Sequence, residues 1–173
     1  FRNEASGEMH GLIRVRQFTI SEGHLMCRPD QLEEEFKSCL QLANYMLETL
    51  GLAEDVSYRF SQWDPEDKDK YIGTPEQWDE AHLGIEYAIG VGEAAFYGPK
   101  LDIQIKNVFG KEDTLITIQI DQLLAEKFGM EYVDADGKAK NPYIIHRTSI
   151  GCYERTLALL IEKYAGALPM WLM

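Results

Sequence analysis

The sequence predicts an α+β fold, an antiparallel β-sheet flanked by helices, on three observations. Segments of alternating polarity are joined by short turns, amphipathic stretches of helical period lie between groups of them, and no internal repeat or low-complexity tract interrupts the pattern. At 173 residues, 45% hydrophobic and 27% charged, the chain can bury one sizeable core. One domain, or part of one, is expected.

Taken in order, residues 11–20 (GLIRVRQFTI) alternate with a period of two and predict a strand pairing with residues 1–5 across a turn near Gly7. The strongest helix signal follows. Pro29 stands at a first helical position, acids fill the first turn, and Leu32, Phe36, Cys39, Leu40, Ala43, Met46, Leu47 and Leu50 share one face before Gly51. Val56 to Phe60 reads as a strand, with a polar loop through Lys70. Thr74-Pro75-Glu76-Gln77 has the spacing of a capping box and opens a short helix ended by Gly84. Leu101 to Val108 and Thr114 to Asp121 alternate around Phe109-Gly110-Lys111-Glu112, which predicts a hairpin. Asp121 to Phe128 reads as a short helix closed by Gly129, Asp134 to Gly137 as a turn, Tyr143 to Arg147 as a strand, and Cys152 to Tyr164 as an amphipathic helix.

The formal net charge of -12 opposes bulk attraction to nucleic acid, because phosphate binding needs clustered lysine and arginine. The basic residues are nonetheless local: Arg2, Arg14 and Arg16 crowd the first segments, so the total says little about the surface they form. No run of about 18 apolar residues occurs and the start lacks a signal-peptide pattern, so a cytoplasmic protein without a membrane partner is expected. The three cysteines, Cys27, Cys39 and Cys152, are scattered and form no CxxC pair, which predicts reduced thiols. The chain opens on Phe1 inside what reads as a motif, which predicts an excised fragment.

Two segments carry chemistry. Arg2 and Glu4, with Arg14, Arg16 and Phe18, put guanidinium forks, a carboxylate and an aromatic plane on one predicted surface, the groups that phosphate and a nucleobase require. On spacing alone, a solvated strand face with cross-strand ion pairs is the favoured account of the charges, although it leaves Phe18 without a role. Near the other end, Ser149-Ile150-Gly151-Cys152-Tyr153-Glu154-Arg155 enters a helix from a strand. A glycine there allows close backbone approach, and Arg155 projects from the first helical turns toward the sheet.

Together these segments are more specific than either alone. Phe1-Arg2-Asn3-Glu4 followed by Gly11 to Phe18 resembles motif 2 of class II aminoacyl-tRNA synthetases, and Gly151 through Glu154-Arg155 resembles motif 3, in matching order and separation. Within that class, Arg14-Val15-Arg16-Gln17-Phe18-Thr19, His24, Phe96-Tyr97-Gly98-Pro99-Lys100 and Ile145-His146-Arg147 resemble the threonyl-tRNA synthetase family, over essentially the whole chain. The resemblance implies a partial catalytic domain spanning residues 1–173, from motif 2 through motif 3. Motif 1, which makes much of the homodimer interface, and the editing and anticodon-binding domains would lie outside it. The implied activity is ATP-dependent activation of L-threonine and its ligation to tRNA(Thr), with Mg²⁺ accompanying ATP.

By the same resemblance Arg2 holds the α-phosphate, Glu4 meets the adenine amine, Phe18 stacks on adenine, Arg14 lies near the γ-phosphate, and Arg155 closes the other side. Arg2 and Arg155 are the implied catalytic residues; Glu22, Tyr97, Lys100, Gln119 and Cys152 are implied on the amino-acid side. His24 and His146, each readable alone as a hydrogen-bonded structural histidine, occupy positions that bind zinc together with an upstream cysteine. An open zinc site suits threonine because its isostere valine lacks the hydroxyl. Without that cysteine, two imidazoles are expected to hold zinc weakly. Cys27 is not expected to replace it, since free cysteines are mostly small buried hydrophobes.

Three positions depart from the commoner bacterial pattern: Ile20 and Thr114 stand where glutamines are usual, and Glu22 where an aspartate contacts the threonine hydroxyl. Residues 78–92 also read as shorter than the family's helix and strand. Two other readings stay open here, a synthetase-like binding or regulatory module without ligase activity and a related synthetase of prolyl or seryl type. His24, His146 and the Phe96 to Lys100 segment argue against the second.

Overall fold

Alternation along the central strands decides the architecture. In the segment Thr114 to Asp121, Ile116, Ile118 and Ile120 fall on one side and Thr117, Gln119 and Asp121 on the other, so the sheet has one apolar and one polar face. A computed structural model describes residues 1–64, 66 and 87–170. Among these are strands β1 (Ile20–Cys27), β2 (Val56–Gln62), β3 (Ala88–Val91), β4 (Lys100–Lys106), β5 (Glu112–Asp121), β6 (Tyr132–Val133), β7 (Ala139–Lys140) and β8 (Tyr143–Cys152). Helices α1 (Leu32–Thr49), α2 (Leu124–Lys127) and α3 (Tyr153–Lys163) connect or follow them.

Six strands form one sheet in the order β1-β8-β5-β4-β2-β3, antiparallel except for the β2/β3 pair. Strands β6 and β7 make a separate small hairpin. The apolar face is covered by α1 and α3. Phe36, Cys39, Leu40, Ala43 and Leu47 of α1 and Leu159 and Leu160 of α3 join Phe60, Leu101, Ile103, Ile116, Ile118 and Ile145 in one core. The helices also meet at their ends, where the Tyr164 hydroxyl donates to the Leu50 carbonyl at 2.9 Å. The expected α+β class, with a mostly antiparallel sheet flanked by helices, is therefore the observed one. Among the described residues no helix is long and apolar enough to cross a membrane.

Three expectations need correction. Residues 11–19 do not form a strand: β1 begins only at Ile20, and before it lie a 3-10 turn at Ser6–Glu8 and an isolated His10–Arg14 bridge. The reason is that alternation in GLIRVRQFTI places arginines against Glu4 rather than an apolar stripe against the core; only Ile13 of that stretch packs on it. Pairing with the first residues survives as one hydrogen bond, from the Arg2 N–H to the Arg16 carbonyl at 2.8 Å. The helix expected from Asp121 shrinks to the single turn α2, because Asp121 ends β5 and its side chain accepts the N–H groups of Leu123 and Leu124, each at 2.9 Å. Strand β8 runs to Cys152, five residues beyond the expected Arg147. The helix expected from Thr74 to Gly84 lies outside the described residues, as does most of the segment 78–92.

Gly151 marks where sheet and candidate site touch. Its φ of +69° is left-handed, and a Cβ built on it would lie 1.9 Å from the Leu115 carbonyl oxygen. Only glycine lets β8 approach β5 this closely.

Candidate functional site

The polar face of the sheet brings distant residues into register. His24 of β1 lies opposite His146 of β8, His146 opposite Gln119 of β5, and Gln119 opposite Lys100 of β4. Side chains in one cross-strand row share a face, so four residues scattered over the sequence become neighbours. A second row holds Glu22, Thr148, Thr117 and Asp102. Tyr97 reaches this surface from the loop before β4, its hydroxyl donating to Gln119 Oε1 at 2.6 Å. Burial pushes the Tyr97 hydroxyl up, with the charges of Asp121 and Glu22 adding to the effect, so it remains a proton donor at neutral pH.

Beside these rows lies a cavity of about 320 Å³ lined by Arg2, Glu4, Arg14, Phe18, Glu22, Gln119, His146, Cys152 and Arg155 among others. Nine of the twelve residues singled out in the sequence thus face one space. His24 and Tyr97 adjoin it through ring contacts with His146, at centroid distances of 4.7 and 5.9 Å. Lys100 instead pairs with the buried Asp102, whose other oxygen accepts from the Thr117 hydroxyl at 2.8 Å.

Within the cavity the arginines are held by the protein itself. The Arg2 guanidinium sits 5.0 Å above the Phe18 ring, a cation–π contact. Arg155 donates to two backbone carbonyls, those of Ile13 and Thr114, and so ties the first segment to β5. Arg14 donates through Nε and Nη2 to Glu4 Oε2 at 3.0 and 2.9 Å. That fork holds the Glu4 carboxyl below its usual range and raises Arg14 in turn. Arg16 Nε donates to the Glu4 carbonyl at 3.0 Å. At the motif near the C-terminus, Glu154 accepts the Thr19 N–H at 3.0 Å, which keeps its carboxyl below the ordinary value, and also accepts the Cys152 thiol at 3.3 Å.

The Glu4–Arg14 pair has a testable pH signature. A carboxyl depressed in the folded state adds stability above its unfolded value of about 4.3, and loses it as pH falls through the lower folded value. Glu4→Gln should therefore destabilise the protein at neutral pH, and the gap from wild type should close on acidification below about pH 4. Urea midpoints compared across pH check this; a gap that persists unchanged at low pH contradicts it.

His24 and His146 converge, as expected of two ligands, and are half-exposed and mostly buried respectively. Both stand next to Glu22: its Oε1 is 3.4 Å from His24 Nε2 and 3.8 Å from His146 Nδ1. One donor atom from each of the three lies within 4.8 Å of the others. On its far side, His146 Nε2 lies 3.0 Å from Oδ2 of the fully buried Asp121. A carboxylate there accepts the Nε2 proton and leaves the Nδ1 lone pair facing Glu22 and His24. Cys27 cannot join them. It is an odd number of residues from His24 on β1 and so points to the opposite face, where burial pushes its thiol up to about 11.

Asp121, Asp102 and Thr117 are the neighbours that sequence reasoning missed. The signal was present in the polar sides of two strands, where Thr117 and Asp121 flank Gln119 on β5 and Asp102 follows Lys100 on β4.

Comparison with known proteins adds a separate line. The tRNA synthetase class II core domain family (G, H, P, S and T) matches residues 1–164. The chain is 64% identical over 181 residues to a threonine–tRNA ligase of Clostridium perfringens (strain 13 / Type A), covering 99% of this chain and 28% of that protein. It is similar in structure, with a TM-score of 0.85 and 34% identity, to the RNA binding domain of threonyl-tRNA synthetase from Cryptosporidium parvum Iowa II, over 99% of this chain and 44% of that one. A seryl-tRNA synthetase from Pyrococcus horikoshii shares the fold at a TM-score of 0.62 and 18% identity, over 92% of this chain and 30% of its own. The chain thus spans little more than a quarter of the length of the curated relatives it matches.

Proposed function

Because this chain belongs to the tRNA synthetase class II core domain family (G, H, P, S and T), we propose that it is the motif 2 to motif 3 part of the aminoacylation domain of a threonine–tRNA ligase. The observation that carries the amino-acid assignment is the cross-strand row of His24, His146 and Gln119 beside the arginine-lined cavity. Prolyl- and seryl-type synthetases share the fold, and the 64% identity to a threonine–tRNA ligase favours threonine over both. The ligation itself, its tRNA(Thr) and ATP-Mg²⁺ substrates, a homodimeric state and a cytoplasmic location are proposed for the longer protein.

In this reading the threonine carboxylate attacks the α-phosphorus of ATP; a new P–O bond forms as the bond to pyrophosphate breaks. No enzyme nucleophile is required, so the protein's part is orientation and charge stabilisation. Arg2 and Arg155 face the phosphates, Phe18 and Glu4 the adenine, and Arg14 the far phosphate once it is released from Glu4. Gln119 and Tyr97, already hydrogen bonded to each other, line the amino-acid end with Lys100 and Cys152.

His24 and His146 fit a zinc ion, since their rings converge on the polar face and Asp121 fixes the tautomer of one. A zinc ion there would orient the amine and hydroxyl of threonine and select against valine. Asp121 is a positioning residue for that site. In Asp121→Asn the amide oxygen takes over the two backbone N–H bonds and the NH₂ faces His146 Nε2, driving the ring proton to Nδ1. Zinc affinity should fall about 10- to 100-fold in a chelator competition; unchanged affinity would remove Asp121 from the site.

The reading is tested by amino-acid-dependent ATP–pyrophosphate exchange in the full-length protein. Threonine should support exchange, with serine weaker and valine and proline near background. A protein that binds ATP and threonine but exchanges neither would favour a binding or regulatory module.

A further inference from the structure

We infer that Asp102 is a positioning residue for the amino-acid half of the site: it holds the Lys100 ammonium beside the cavity, with Thr117 fixing the carboxylate from the other side. The inference rests on the reading of Lys100 as an amino-acid-side residue and goes beyond it in naming what aims that lysine.

Lys100 and Asp102 are two residues apart on β4 and so share the polar face of the sheet. Lys100 stands in the row of Gln119 and His146, whereas Asp102 stands in the next row, opposite Thr117. Asp102 Oδ2 accepts from Lys100 Nζ, and Oδ1 accepts from the Thr117 hydroxyl at 2.8 Å. Thr117 lines the cavity. One carboxylate therefore draws the ammonium out of its own row toward a cavity wall. That wall is itself fixed, because the Thr117 N–H donates to the Thr148 hydroxyl at 3.2 Å, and Thr148 lines the same cavity.

Neighbours that could compete for either charge do not. Arg59 faces Asp102 from β2, yet its guanidinium pairs with Glu93 at 3.3 Å. Ser61, across from Lys100 on β2, is fully buried, and among the described residues its hydroxyl has no partner. An ammonium carries three donors, and among the described residues only the bond to Asp102 uses one. Donors remain for a substrate, and the positive charge suits the carboxylate of an amino acid. Stability does not account for the pair. The Asp102 side chain is 5% exposed and that of Lys100 23%, and the desolvation cost of such a pair can match or exceed its attraction. Untethered, a lysine spreads its charge over many rotamers; Asp102 removes that freedom before the substrate arrives.

The test is threonine-dependent ATP–pyrophosphate exchange in the full-length protein, with KM measured for threonine and for ATP and thermal unfolding as the folding control. Lys100→Ala and Asp102→Asn should each raise the threonine KM by about 10- to 100-fold, the range of a lost charge-assisted hydrogen bond. The ATP KM should stay unchanged, a split that a general loss of structure would not produce. In the double variant the two effects should not multiply, because Asp102 acts through Lys100. Thr117→Val leaves the ion pair in place and frees one carboxylate oxygen. It should raise the threonine KM by about two- to tenfold, and by nothing further in the Lys100→Ala background. If Lys100→Ala raises the threonine KM and Asp102→Asn does not, the reading of Lys100 stands and the role of Asp102 is overturned. Effects that multiply in the double variant overturn it equally. Should Asp102→Asn fail to fold, a Thr117→Val effect that persists in full without Lys100 overturns the inference. A Lys100→Ala enzyme with wild-type KM for threonine removes the reading of Lys100 as well.

Discussion

Arg2→Ala and Arg155→Ala, introduced separately in the full-length protein, should each slow threonine-dependent pyrophosphate exchange by roughly 100-fold or more, about 3 kcal/mol of lost transition-state stabilisation. Negative charge builds on the α-phosphate oxygens during attack, and a preorganised guanidinium offsets it at little reorganisation cost. Arg155 is preorganised to a degree the sequence did not reveal, held by the carbonyls of Ile13 and Thr114 on two different segments. Its loss therefore removes a charge and a tie between the first segment and the sheet. Arg2 is placed differently, over the Phe18 ring. A base stacking on Phe18 must share or take that face, which moves the Arg2 charge toward the phosphates. Arg2→Lys should recover only part of the loss, because a point charge cannot reproduce a planar fork. Exchange within threefold of wild type in both alanine variants would contradict the assignment of these residues.

Gly151→Ala should cost about 3–5 kcal/mol of stability, among the larger effects open to a single methyl group. Two terms add. The left-handed backbone at φ +69° disfavours any Cβ by roughly 1–2 kcal/mol. The methyl would also lie 1.9 Å from the Leu115 carbonyl oxygen, backbone rather than a flexible side-chain end, so β5 and β8 must separate. Because Thr114, next to Leu115, accepts from Arg155, that separation would also loosen the arginine. The urea midpoint measures the first effect and nucleotide affinity the second. A variant within about 1 kcal/mol of wild type would show that the strands tolerate more space than this packing allows.

How much of this was legible depends on whether an element is specified locally. The α1 face and the β4/β5 hairpin were readable because their apolar residues repeat at the period of the element and bury what the pattern says they bury. Residues 11–19 misled because alternation reports a strand only when one set of side chains meets the core; here the set is arginine and it meets Glu4. Asp121 misled in another way, as a polar residue at a strand end that both stops β5 and starts α2. The convergence of His24 with His146 could not come from spacing, since it is set by the register of β1 on β8. Only the resemblance placed the two histidines together beforehand. Glu22, which the resemblance put on the amino-acid side, lies beside both imidazoles and lines the same cavity.

The central claim is that one surface reads adenosine at its arginine-lined end and threonine at its histidine end. A crystal structure of the full-length protein with a non-hydrolysable threonyl-adenylate analogue tests it most directly. The adenine should stack on Phe18 with its amine toward Glu4, the phosphate mimic should lie between Arg2 and Arg155, and the threonine side chain should reach the metal held by His24 and His146. An analogue bound with its adenine away from Phe18, or with its threonyl group remote from the two histidines, would contradict the account.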